Sequence, residues 1–235
     1  MLTAVTYNLH SGKDSRGKIN LNAMISAICS VQPDIAAVQE VACHVSSAGD
    51  FDQAAALRDG LGMHMAFVPA IAYNGGDYGI ALLSRHPMLS VRAYHIPDIE
   101  EERRDRWFEH RIVLMCRIDM DGSPVTVLCT HLGLSEDERE NGVRLLCRLI
   151  DECPEPVLLM GDLNTSPDEP LLAPLLSRLQ EHSAERTYPS EAPNTKIDYI
   201  LTSPGWQVRR EYALDSLASD HLALAAEMEL SSFQK

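Results

Sequence analysis

Apolar positions recur along the chain with two periods, and the two are interleaved. Residues 2–7 alternate like a strand, and 35–39 and 157–160 read as short buried strands. Further strand-like runs lie at 63–68, 79–84, 89–95, 111–119 and 125–130, and the last third returns to strands at 197–201, 207–212 and 222–229. Helical spacing of Leu21, Met24, Ile25 and Ile28 predicts a helix over 21–29, with Asn20 as its N-cap. A second helix is expected over 54–59, ended by Gly60. Ser135 and Glu138 have the spacing of a capping box ahead of a long amphipathic helix reaching Asp151, and 171–179 reads as a fourth helix. Some ten strands and three or four helices pack most simply as two sheets flanked by helices. No repeat or Gly/Ser/Pro-rich linker divides the chain, so one domain over 1–235 is expected.

Composition narrows the class. With 235 residues, 45% hydrophobic and 23% charged, the chain is too apolar for disorder, and its longest apolar runs fall far short of the roughly 18 residues that span a bilayer. The start has neither a basic nor an apolar leader segment, and six cysteines without a CxxC pair read as reduced core residues; a cytoplasmic protein is the expectation. Twenty basic against thirty-four acidic residues give a net charge of −14, which argues against avid, non-specific grip on nucleic acid. A small phosphorylated substrate drawn to a local positive focus, such as a metal ion, is compatible with it.

The chemistry lies at the strand ends. The first strand ends in Tyr7-Asn8-Leu9-His10, the second runs into Gln39-Glu40, and others run into Thr130-His131-Leu132 and Gly161-Asp162-Leu163-Asn164; Asp198 opens a strand and Ser219-Asp220-His221 precedes the last. Each alone has an ordinary explanation: Asn8, Asp162 and Asn164 as turn formers, Glu40 as a solvated strand end, and His131 and His221 as partly buried histidines. Taken together they point to one rim of a sheet. Oxygen-rich ligands suit a hard cation, and two histidines with carboxylates suit proton handling and phosphate contact near neutral pH.

In this order the motifs YNLH at 7–10, QE at 39–40, GDYGIALLSR at 76–85, THL at 130–132, GDLN at 161–164, IDYI at 197–200 and SDH at 219–221 resemble the endonuclease/exonuclease/phosphatase superfamily, the DNase I-like phosphohydrolases. The stretch EHRIVLMCRI at 109–118 is similar to small bacterial members described as metal-dependent hydrolases. The resemblance implies an α/β (α+β) fold, a four-layer αββα sandwich of two mixed β-sheets face to face with helices outside. It implies hydrolysis of a phosphoester with Mg²⁺ or Mn²⁺. Glu40 would be the principal metal ligand, with Asn8 and Asp220 nearby. Asp162 would orient or deprotonate the attacking water, and Asn164 would hold that water or the phosphate. His221 would contact the scissile phosphate with Asp198 fixing it, and His131 would be a second phosphate contact.

Arg111 matches an arginine of the small bacterial relatives and is a candidate substrate contact. Asp77, in a Gly-rich turn, and Trp107, in the mixed-charge stretch 98–111, are weaker ones. His10 could face the site or be structural. Diester and monoester substrates, a DNA or RNA nuclease, a phospholipid-type phosphodiesterase and a non-catalytic binding module all remain open, because specificity on such a scaffold lies in loops.

Overall fold

The computed structural model describes residues 1–100 and 108–231. Among them the elements run β1 (Leu2–Asn8), α1 (Leu21–Ser30), β2 (Ile35–Cys43), α2 (Gln53–Leu61), β3 (His64–Tyr73), β4 (Gly76–Ser84), β5 (Met88–His95), β6 (Ile112–Met120), β7 (Ser123–His131), α3 (Glu136–Asp151), β8 (Val157–Asp162), α4 (Ala173–Leu176), β9 (Asp198–Thr202), β10 (Trp206–Ala213) and β11 (Leu224–Leu230). Two sheets result, ordered β10-β11-β1-β2-β4-β3 and β5-β6-β7-β8-β9. Each contains one parallel pair, β1 with β2 and β7 with β8, among antiparallel neighbours. A parallel pair needs a crossover, and α1 and α3 supply the two.

Alternation along each strand sorts side chains into three apolar layers. Ala4, Ile35, Ala37 and Leu82 face Leu114, Cys116, Val127 and Met160 between the sheets. On the outer face of the six-stranded sheet, Val5, Tyr7, Val38 and Leu83 pack on Leu21, Met24, Ile28 and Leu57 of α1 and α2. Outside the five-stranded sheet, Val113, Leu128, Leu159 and Leu201 pack on Val143, Leu146, Ile150 and Leu175 of α3 and α4. The order of layers is therefore αββα, with both sheets mixed, as expected.

Some boundaries differ from the sequence reading, each for a local reason. Helix α2 starts with Asp52 as N-cap, its carboxylate accepting the Ala55 amide at 2.8 Å, and runs through Gly60 to end at Gly62, whose φ is +64°. Gly60 lies inside the helix as a close-packing residue, since a Cβ there would meet the Ile25 side chain of α1 at 2.8 Å. The helix expected over 171–179 shrinks to a 3-10 turn, Pro170–Leu172, and α4, because prolines at 170 and 174 remove amide donors and restrict the residue before them. The capping box at Ser135 and Glu138 is formed in both directions.

Candidate active site

The carboxyl ends of both parallel pairs open on the same rim. Asn8 ends β1 beside Gln39 of β2, and His131 ends β7 beside Asp162 of β8. Asp198 opens β9 directly opposite Asp162. His221 stands in the turn before β11, and the Ser219 hydroxyl ties that turn to the Asn8 carbonyl at 2.9 Å. The Asn8 amide ties the sheets together here: Asn8 Nδ2 donates to Glu40 Oε1 at 3.0 Å and to Asp162 Oδ2 at 3.1 Å, while Asn8 Oδ1 accepts the His10 backbone N–H at 3.0 Å.

Two backbone features aim the carboxylates. Between Val38 and Val41 the register of β2 on β4 slips, so Gln39 and Glu40 together oppose one residue, a β-bulge. Gln39 turns inward to Thr6 and Cys129, and Glu40, at φ +59°, emerges at the rim. In β8, Gly161 has φ +148°, and a Cβ there would strike the Thr130 carbonyl oxygen; only glycine lets β8 lie this close to β7 just before Asp162.

Asp162 is buried, and its two oxygens differ. Oδ1 accepts the Asn164 backbone N–H at 2.9 Å. Oδ2 faces Asn8, His131 Nε2 at 3.6 Å and His221 Nε2 at 3.8 Å. Burial, then the charge of Asp198, pushes the Asp162 carboxyl up to about 7. His221 moves up as well. Burial alone would lower it, but the Asp198 carboxylate, bonded to Nδ1 at 2.8 Å, outweighs that, with Asp162 and Asp220 adding, and raises it to about 10. The Thr187 hydroxyl donates to the same Asp198 oxygen, and the Tyr188 ring lies against the His221 ring with centroids 4.9 Å apart. His131 goes the other way, held well below its usual value by burial and by the charges of Arg111 and His221.

The other expected residues separate into those at the rim and those elsewhere. Asp220 is at the rim, with Oδ1 3.2 Å from Ser219 Oγ and 3.6 Å from His10 Nδ1. Asn164, at φ +48°, donates its side-chain amide to the Leu132 carbonyl at 2.9 Å. Arg111 is at the rim but reaches His131 Nδ1 and Glu109 Oε1, both at 2.9 Å. Asp77 is not brought there: it pairs with Cys43 on the helix-covered side of its sheet, because its neighbour Tyr78 takes the opposite face. The turn beside it is an Asn74-Gly75 hairpin with positive φ at both residues. Trp107 lies outside the described residues.

The sequence reading passed over Glu109, Thr187 and Tyr188. Tyr78 and Glu109 line a cleft of about 320 Å³ with Ser11, Ile71 and Tyr73. Glu109 had one available signal, since residues two apart in extended chain share a face and Arg111 follows it. No spacing tied Thr187 or Tyr188 to the site.

The donor set suits a hard cation. Donor atoms of Asp162, Asp198 and His221 fall within 4.8 Å of one another, but the Asp198–His221 bond already uses that pair. Outside that bond, Glu40 Oε1 and Asp162 Oδ2, both accepting from Asn8 Nδ2, are oxygen donors of the kind such an ion takes.

Residues 5–221 match the model of the endonuclease/exonuclease/phosphatase family. The chain is 30% identical over 250 residues to the uncharacterized protein YbhP of Escherichia coli, covering 96% of this chain and 95% of that one. Its fold is similar to a crystal structure of an endonuclease/exonuclease/phosphatase from Beutenbergia cavernae, with TM-score 0.78, 21% identity, and 98% and 72% of the two chains covered. It is likewise similar to the mannosyl-6-phosphatase Bt3783 of Bacteroides thetaiotaomicron, with TM-score 0.80, 17% identity, and 98% and 100% covered. The family match over nearly the whole chain and the rim that its motifs build together place this protein in the endonuclease/exonuclease/phosphatase family.

Proposed function

We propose that the protein is a Mg²⁺- or Mn²⁺-dependent phosphoester hydrolase that directs water in line at phosphorus. The observation that carries this reading is the pair of oppositely suited groups 3.8 Å apart: Asp162 Oδ2, a carboxylate oxygen of raised basicity, and His221 Nε2, a proton donor made cationic by Asp198. Asp162 Oδ2 takes a proton from the attacking water while the new P–O bond forms. His221 donates an Nε2–H hydrogen bond to the phosphoryl oxygens on which charge accumulates, and the P–O bond to the alcohol breaks, the departing oxygen taking its proton from solvent water. Thr187 and Asp198 hold the His221 ring, and the Tyr188 ring lies along one face of it. Asn164 borders the same space through its backbone contact with Asp162, leaving its side-chain oxygen for the water or the phosphate. A divalent ion held by Glu40 and Asp220, with Asn8, would supply charge neutralisation on the phosphate and the departing oxygen.

The alcohol portion of the substrate is placed in the cleft of Tyr73, Tyr78, Ile71, Ser11 and Glu109, about 320 Å³, which suits one ring-sized group. That size and the net charge of −14 favour a small phosphorylated molecule over polymeric nucleic acid. The test is release of p-nitrophenol from bis-p-nitrophenyl phosphate and p-nitrophenyl phosphate, with Mg²⁺, Mn²⁺ or EDTA, beside Asp162→Asn. Metal-dependent release that vanishes in Asp162→Asn is expected. Release that persists unchanged in EDTA or in the variant overturns the reading.

A further inference from the structure

We propose that Arg111 is a positioning residue that fixes His131 in the tautomer with its proton on Nε2, so that this imidazole offers an N–H, not a lone pair, to Asp162 and the reacting phosphate. Arg111 sits just ahead of β6, and His131 ends the neighbouring β7. The guanidinium has donors only and stays charged. With Arg111 Nη1 at 2.9 Å from His131 Nδ1, that nitrogen has to be the acceptor. A neutral imidazole carries one N–H, so it is on Nε2, the atom 3.6 Å from Asp162 Oδ2. A second proton is opposed by burial and by the arginine charge at hydrogen-bond distance.

Glu109 completes the device. Its Oε1 accepts from the same Nη1 at 2.9 Å, balancing the arginine charge and holding the guanidinium in place, with the Arg111 side chain only 10% exposed. The opposite tautomer would set an Nε2 lone pair against the Asp162 carboxylate and against phosphate oxygens, a repulsive arrangement in a buried site. The neutral donor also spares Asp162 a second cation beside His221, which would weaken it as a base. Arg111 Nε is buried without a hydrogen-bond partner among the described residues, so direct contact with the phosphate is the competing role.

The inference rests on the proposed hydrolase only in its kinetic arm. In ¹⁵N-histidine-labelled, EDTA-treated protein, long-range ¹H–¹⁵N spectra near neutral pH, assigned with His131→Gln, should show His131 neutral with the proton on Nε2. A proton on Nδ1, or on both nitrogens, overturns the proposal whatever the activity. Arg111→Lys, which keeps a donor, should retain the tautomer, and Arg111→Met should lose it; an unchanged spectrum in a folded Arg111→Met also overturns it. On bis-p-nitrophenyl phosphate, Arg111→Met should lower kcat at least about tenfold, with no further loss when added to His131→Ala. An equal loss in both backgrounds would mean that Arg111 acts on the substrate itself, and the proposal fails. If the parent hydrolyses neither ester, it is the hydrolase reading that suffers, and the spectra alone decide the tautomer.

Discussion

Asp162 Oδ2 is the atom on which residue-scale expectations converge, since Asn8, His131 and His221 all face it. Asp162→Asn keeps the shape and the Asn164 contact but removes the proposed base; a loss in kcat of about 10²–10⁴ is expected, with an unchanged circular dichroism spectrum. His221→Ala should cost a similar factor. The His221–Asp198 pair also makes a statement about stability. The folded-state value of His221, about 10, lies above its ordinary 6.5, so its contribution is fully present below pH 6.5 and is lost as pH rises through 10. Urea unfolding in EDTA should therefore show the stability gap between the parent and His221→Asn narrowing from pH 7 to pH 10, and a gap that stays constant would contradict the pairing. Of these residues, the carboxylates and histidines were legible in sequence because strand ends concentrate polar groups. Their partners were not. Thr187 and Tyr188 reach His221 and Asp198 from an irregular segment, where no periodicity says which way a side chain points.

At the scale of elements, what the hydrophobic period determines was readable and what backbone irregularity determines was not. The strands, α1 and the capped α3 fall where apolar spacing puts them, because each buries one defined face. The bulge that turns Gln39 inward and Glu40 outward has no period, and the proline-shortened α4 follows from missing donors that the apolar pattern hides. Gly161 is an element-scale requirement, since it sets the approach of β8 to β7. Gly161→Ala should destabilise by about 2 kcal/mol or more in urea titration and depress turnover by displacing Asp162. Ser135→Ala, at the N-cap of α3, is the matched control. It should cost about 1 kcal/mol and leave kcat within twofold, because the apolar face of α3 packs behind the five-stranded sheet.

For the whole molecule, charge and layering point to different levels of function. The −14 net charge predicts no retention on duplex DNA in a filter-binding assay at about 0.15 M salt, because an acidic protein gains little from counterion release and is repelled by the phosphates; retention in the micromolar range or tighter would reopen a polymeric substrate. The layering says where a centre can form but leaves its substrate to the loops. The β1/β2 and β7/β8 units repeat the same strand–helix–strand plan, one in each sheet, and neither holds a complete centre.

The bond from Asn8 to Asp162 joins residues 154 positions apart, and His221 reaches the rim through the turn leading into β11, the partner of β1. A polypeptide leaving the ribosome would thus carry Asn8 and Glu40 long before Asp220 and His221. Until β11 docks on β1, the rim lacks the turn that carries Asp220 and His221. On the proposed reading, a truncation before Ser219 would silence the centre without touching any residue of its first half.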